Sequence, residues 1–114
     1  MRGSGLTDQA LAGAIDQMMD GLIDADLGGH VVKKRIALPG RRKRSGVRTI
    51  VATNFDNRWF FLFGFEKNER ANIDSDELTA LQEIAARFLS MSSVELEKLI
   101  LVRELTRVNH DDTA

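Results

Sequence analysis

The residues best suited to chemistry in this 114-residue chain are cations, and they lie close together. Lys33, Lys34 and Arg35 form one run, Arg41, Arg42, Lys43 and Arg44 the next, and Arg48, Lys67 and Arg70 follow. With Arg58 they give the stretch His30–Ile73 eleven positive charges against Asp56, Glu66 and Glu69, a net +8. The flanks carry five cations and fourteen carboxylates, so a whole-chain charge of −1 hides a basic centre between acidic arms. Segregation of this kind points to a polyanionic partner.

The inventory narrows the chemistry further. There is no cysteine, which excludes disulfides, thiolate metal sites and cysteine nucleophiles. Glycine-rich nucleotide loops, a nucleophile elbow and an HExxH metal motif are all missing. His30 and His110 are the only imidazoles and stand far apart. His30 is a candidate for proton transfer, although a lone histidine more often has a structural or solvated place. One reaction suits what is left, because RNA carries its own nucleophile in the 2′-hydroxyl. A protein that cleaves it must orient the attack, stabilise a pentacoordinate phosphorane and help to move two protons. Arginine holds two phosphate oxygens in a fixed fork, and a desolvated lysine among other cations can exchange a proton. Arg48, Lys67 and Arg70, with Lys33 and Arg35, are the groups to do this. The run Arg41–Arg44 suits phosphate contacts, though such a loop can equally be plain solvated surface.

The elements that must position these groups read as follows. Thr7 and Asp8 start a helix whose stripe is Leu11, Ile15, Met18, Leu22 and Ile23, with Gly28-Gly29 as its stop. Asp16, Asp20 and Asp24 then fall on a solvated acidic face. Residues 30–36 read as a strand with Val31, Lys33 and Arg35 on one side and Val32, Lys34 and Ile36 on the other. Pro39-Gly40 opens the cationic loop. Strands Val47–Phe55 and Arg58–Glu66 follow, joined by a two-residue Asp56-Asn57 turn. That register pairs Phe55 with Arg58, Ala52 with Phe61 and Arg48 with Phe65, and puts Arg48, Phe65 and Lys67 on one face. The run Trp59–Phe65 is apolar on both faces, which predicts a central strand; its aromatics suit a core better than a base-stacking platform. Asp74 with Glu77 and Ser92 with Glu95 are helix-start signals. The first opens a stripe of Leu78, Leu81, Ile84, Ala85 and Phe88, the second a short helix with Leu96, Leu99 and Ile100. The last segment, Leu101–Val108, reads either as continued helix or as a closing strand, the strand being preferred over about Glu104–Val108. No apolar run approaches the roughly eighteen residues of a membrane span and no apolar leader is evident, so a cytoplasmic protein without a membrane partner is expected.

Two blocks, GGHVVKKRIALPGRRKRSGVRTIVA and FFLFGFEKNERANI, carry a resemblance. Over about residues 6 to 108 the chain resembles the RelE-type and HigB-like toxins of bacterial type II toxin–antitoxin systems, within the wider RelE/ParE group. The resemblance implies one α+β domain over residues 1–114, with an N-terminal helix on a twisted, mainly antiparallel sheet, further C-terminal helices, and flexible ends at 1–5 and 109–114. It implies a ribosome-dependent mRNA endonuclease (an mRNA interferase) that needs no metal or cofactor and is held in check by a cognate antitoxin.

Carried over by position, Arg48 matches the family's sheet arginine, and Lys33, Lys34 and Arg35 lie on the strand that bears catalytic or RNA-contacting lysines in relatives. Lys67 and Arg70 match the basic residues after the aromatic strand. The chain departs from the pattern at Asn68, where relatives have a phosphate-stabilising arginine, at Val47, where they have an aromatic, and in having no tyrosine. MRGSG stands where the family has its first strand, and a sheet edge left open there is a place where two chains could pair. The rival readings are a non-catalytic RNA- or ribosome-binding module and a ParE-like inhibitor of gyrase.

Overall fold

A computed structural model describes residues 7–37, 46–66, 72–103, 105, 106 and 108. The elements are α1 (Asp8–Met19), β1 (Ala25–Gly28), β2 (Val31–Ile36), β3 (Val47–Thr53), β4 (Trp59–Glu66), α2 (Ser75–Ser90) and α3 (Ser93–Leu101). One antiparallel sheet in the order β1-β2-β3-β4 lies among the helices, the α+β arrangement expected. No helix among the described residues is long and apolar enough to cross a membrane.

The first helix begins where expected, the Thr7 hydroxyl accepting the Ala10 N–H at 3.1 Å. It ends well before Gly28-Gly29. The Gly21 N–H bonds the Met18 carbonyl and the Leu22 N–H reaches the Gln17 carbonyl, each at 2.9 Å. Gly21 sits at φ +87°. This is a glycine-terminated helix end, since only a residue without Cβ takes that left-handed position cheaply. The apolar spacing runs past this break, but only Ile23 stays on the core while Leu22 points outward. The chain then forms β1, a strand that the sequence reading missed. Gly28, Gly29 and His30, all at positive φ, turn it into β2, so the two glycines shape a hairpin and stop no helix.

Alternation along the strands builds two apolar layers. On one face Val32, Ile36 and Val51 meet Leu11, Ala14 and Met18 of α1, with Trp59 and Phe61 packed alongside. On the other Val31, Ile50, Ala52 and Phe65 meet Ala85 of α2, with Phe60, Leu62, Phe63, Leu78 and Leu81. Met18, Val31, Val32, Ile50 and Val51 are fully buried, and each such side chain stabilises the fold by about 1.5–3 kcal/mol.

The β3–β4 hairpin keeps the expected register only at its far end. Arg48 faces Phe65 and Ile50 faces Phe63, but Val51 faces Phe61, so Leu62 is an extra bulged residue. Ala52 therefore opposes Phe60, not Phe61. The connection spans Asn54–Arg58, longer than two residues, because the Asn54 side-chain oxygen accepts the N–H groups of Asp56, Asn57 and Arg58 at 3.0–3.1 Å. Phe55 adopts φ 59° there and leaves the strand. Among the described residues β4 is an outer strand of the sheet, not the central strand expected. Its two apolar faces reflect helices on both sides of the sheet, a layering that makes even an edge strand apolar all round.

Both later helices start as the sequence predicts, each with a complete capping box, Asp74 with Glu77 and Ser92 with Glu95. Of the α2 stripe, Ile84 is 37% exposed while Phe88 stacks on Phe60 with ring centroids 5.1 Å apart. Beyond α3 the described residues Leu105, Thr106 and Val108 are not in strand conformation, contrary to the expected closing strand. Arg103 turns at φ 64°, and the Leu105 N–H bonds back to the Leu99 carbonyl at 3.2 Å.

Candidate nucleic-acid interface

The β2–β3 register brings three of the chosen cations onto one face. Arg35 pairs with Arg48, and Arg48 with Phe65, so a row Arg35–Arg48–Phe65 crosses three strands. The next row is Lys33–Ile50–Phe63, and cross-strand partners share a side of the sheet. Phe63 and Phe65 are in ring contact at 5.8 Å and form the apolar bed beside the cations. α2 covers the other end of this face, where Gln82 donates to the Leu27 carbonyl at 3.3 Å.

Arg48 is the centre of the arrangement. It is half-buried, and its Nη1 is buried with no hydrogen-bond partner among the described residues. A buried guanidinium donor without an acceptor costs free energy, and an anion moving in beside it would remove that cost. Arg35 approaches from β2 under two constraints. Its backbone N–H donates to the Asp24 carboxylate, and the Asp24 N–H donates to the Lys33 carbonyl at 2.9 Å. Asp24 thus lies beyond α1, tying the edge of β2, and is no part of a helical acidic face. Gly46 supplies the second constraint. A Cβ there would lie 2.9 Å from both Arg35 Cγ and the Ile36 carbonyl oxygen, so the Arg35 stem crosses a gap that only glycine leaves. Sequence reasoning missed both residues. For Gly46 the signal was its place directly before the strand that carries Arg48.

The remaining candidates divide. Lys34 lies on the opposite face with Val32 and Ile36, 8% exposed, its carbonyl accepting the Thr49 hydroxyl at 2.8 Å. It does not share a surface with Lys33 and Arg35. His30 is exposed in the β1–β2 turn, five residues from Arg35, or about 17 Å along an extended strand. That distance puts it beyond reach of a phosphate held at Arg48. Arg58, counted in the basic charge, is spent on structure: its Nη1 donates to the carbonyls of Phe88 at 3.2 Å, Leu89 at 3.3 Å and also Met91, closing the C-terminal end of α2. Arg41, Arg42, Lys43, Arg44, Lys67 and Arg70 lie outside the described residues, as do the termini where flexible ends and a missing first strand were expected. The chain leaves β4 toward Lys67 from Glu66, which pairs with Val47, next to Arg48.

A helix on one face of an antiparallel sheet and two capped helices after it match the fold that the two sequence blocks implied. Comparison with known proteins agrees at the level of the family. The family model described as the RelE toxin of the RelE / RelB toxin-antitoxin system matches residues 1–108. No curated protein and no solved structure matches. Since that match takes in nearly the whole chain, the protein belongs to the RelE toxin family, whose members act opposite an antitoxin.

Proposed function

We propose that this toxin is a ribosome-dependent mRNA endonuclease that works without a metal through the RNA's own 2′-hydroxyl. The observation that carries the reading is the buried Nη1 of Arg48, without a hydrogen-bond partner among the described residues, on a sheet face shared with Arg35 and Lys33. In the reaction the 2′-oxygen attacks the adjacent phosphorus, loses its proton, and the bond to the 5′-oxygen breaks as that oxygen gains one. The products are a 2′,3′-cyclic phosphate and a 5′-hydroxyl. Arg48 holds the non-bridging oxygens as charge builds on the phosphorane, where a preorganised donor counts most. Lys33 and Arg35 seat the flanking phosphates. By their place in the motif Lys67 is assigned to the same phosphate and Arg70 to positioning the RNA, and Arg41–Arg44 to more distant backbone contacts. Ribosome-bound mRNA in the cytoplasm is the substrate.

Asn68 and the lack of any tyrosine support a second reading, a module that binds RNA or ribosomes without cutting. Induction in translating cells separates the two. The endonuclease reading expects mRNA cleavage that stops with translation and falls by about 100- to 1000-fold in Arg48→Ala, the usual effect of removing one transition-state donor. Salt-sensitive RNA binding that leaves the RNA intact would establish the binding module instead.

A further inference from the structure

Arg35 and Arg48 stand opposite each other on β2 and β3, and like charges at opposed positions repel. Attraction cannot keep the two together, and Arg35 is exposed, so burial does not do so either. Arg35 is held by its main chain. β1 pairs with β2 only as far as Ala25 opposite Lys33, two residues short of Arg35. Before Ala25 the chain bends toward the end of α1, with the Ile23 N–H bonded to the Gly21 carbonyl at 3.1 Å. The strand ladder would therefore stop at Lys33, and Asp24 carries it one step further with its side chain. Its N–H donates to the Lys33 carbonyl at 2.9 Å and its carboxylate accepts the Arg35 N–H. One residue thus clasps the outward main-chain groups on either side of Lys34.

We infer that Asp24 is a positioning residue for the phosphate-binding face: its carboxylate fixes the β2 main chain at Arg35 and so sets the Arg35 guanidinium beside Arg48. The inference rests on the reading of that face as RNA-binding, and not on cleavage. The charge of Asp24 makes this role separable from plain electrostatics. An exposed carboxylate next to Lys33, Arg35 and Arg48 lowers the local positive potential, so electrostatics alone would have RNA bind better without it. Fixing Arg35 acts in the opposite direction, because a long side chain loses less freedom on meeting a phosphate when its main chain is already held. Asparagine at this position keeps an oxygen acceptor and drops the charge, whereas alanine drops both.

The test measures binding of a short single-stranded RNA, methylated on its 2′-oxygens so that no cut intervenes, over a series of salt concentrations. Asp24→Ala should bind about tenfold more weakly, the loss of one charge-assisted contact, with a log–log salt slope shallower by about 0.7. Arg35→Met should do the same. Asp24→Asn should bind at least as tightly as the unaltered chain. Asp24→Ala added to Arg35→Met should weaken binding no further, a result that a general loss of structure would not give. Circular dichroism checks that the variants fold, and amide exchange at Arg35 should be slow in the unaltered chain and in Asp24→Asn but fast in Asp24→Ala. Fast exchange at Arg35 in the unaltered chain overturns the inference without any variant. Tighter binding by Asp24→Ala, equal losses in the two Asp24 variants, additive losses with Arg35→Met, or no RNA binding by the unaltered chain overturn it as well. Unmethylated RNA that is bound in this pattern but never cut in a translating extract refutes the endonuclease reading and leaves the part of Asp24 established.

Discussion

Replacing Arg48 by methionine separates a functional arginine from a structural one. In the folded chain Nη1 is a buried donor without an acceptor among the described residues, and such a group costs about 1–3 kcal/mol. Methionine keeps an unbranched stem beside Phe65, Arg48's partner on β4, and removes the polar head. The arginine is only half-buried, so a gain at the lower end of that range, about 1 kcal/mol, is expected. For a chain of this size that corresponds to a rise in Tm of about 4 °C. Thermal unfolding by circular dichroism reads the stability, and cleavage of translated mRNA reads the activity. The reasoning expects the two to move in opposite directions, a more stable protein with activity about 100- to 1000-fold lower. If Arg48→Met is destabilised by more than about 1 kcal/mol, Nη1 has a structural partner and the poised-donor argument fails.

Three further changes probe the elements around that site. Arg58→Met takes away the donor that closes α2 and should cost about 1.5–3 kcal/mol in urea unfolding, the worth of hydrogen bonds from a charged group; a neutral result would mean that the Phe88, Leu89 and Met91 carbonyls are satisfied otherwise. Gly46→Ala forces a methyl against the Ile36 carbonyl and the Arg35 stem, so stability should fall by about 1–3 kcal/mol and RNA affinity should weaken as Arg35 shifts. Unchanged binding would show that Arg35 does not contact RNA. Glu95 is held below its ordinary pKa, chiefly by the Ser92 backbone N–H and then by the Ser92 hydroxyl. A depressed carboxyl contributes stability above its unfolded pKa and loses it as pH falls through the folded value. Acid should therefore fray the start of α3, and Glu95→Gln should show less of this loss by NMR.

The local signals in the sequence were reliable where one short motif decides the outcome. Asp74 with Glu77 and Ser92 with Glu95 place two helix starts because each satisfies exposed N–H groups within four residues. Alternation in Val31–Ile36 sorts Lys33 and Arg35 from Lys34, and the hairpin pairs Arg48 with Phe65. What was illegible depends on contacts distant in sequence. β1 has four residues and none is β-branched, so only its pairing with β2 makes it a strand. The bulge at Leu62 lies in a run of aromatics where either register buries an apolar side chain. Among the described residues β4 is an outer strand, which its apolar faces could not reveal, because such faces report the layers above and below while the edge is set by what else pairs. The part of Asp24 in holding β2 was hidden by its spacing from Asp16 and Asp20, which mimics a helix face.

The central claim is that the Arg48 face cleaves mRNA through the 2′-hydroxyl. Mapping the ends of mRNA cut in a translating extract tests it most directly, with the unaltered chain, Arg48→Met and a transcript bearing one 2′-deoxynucleotide at a mapped cut. The account predicts 5′-hydroxyl and 2′,3′-cyclic phosphate ends with the unaltered chain, none at the deoxy position, and almost none with Arg48→Met. Cleavage that persists at the deoxy position, or that Arg48→Met leaves at full rate, would contradict it.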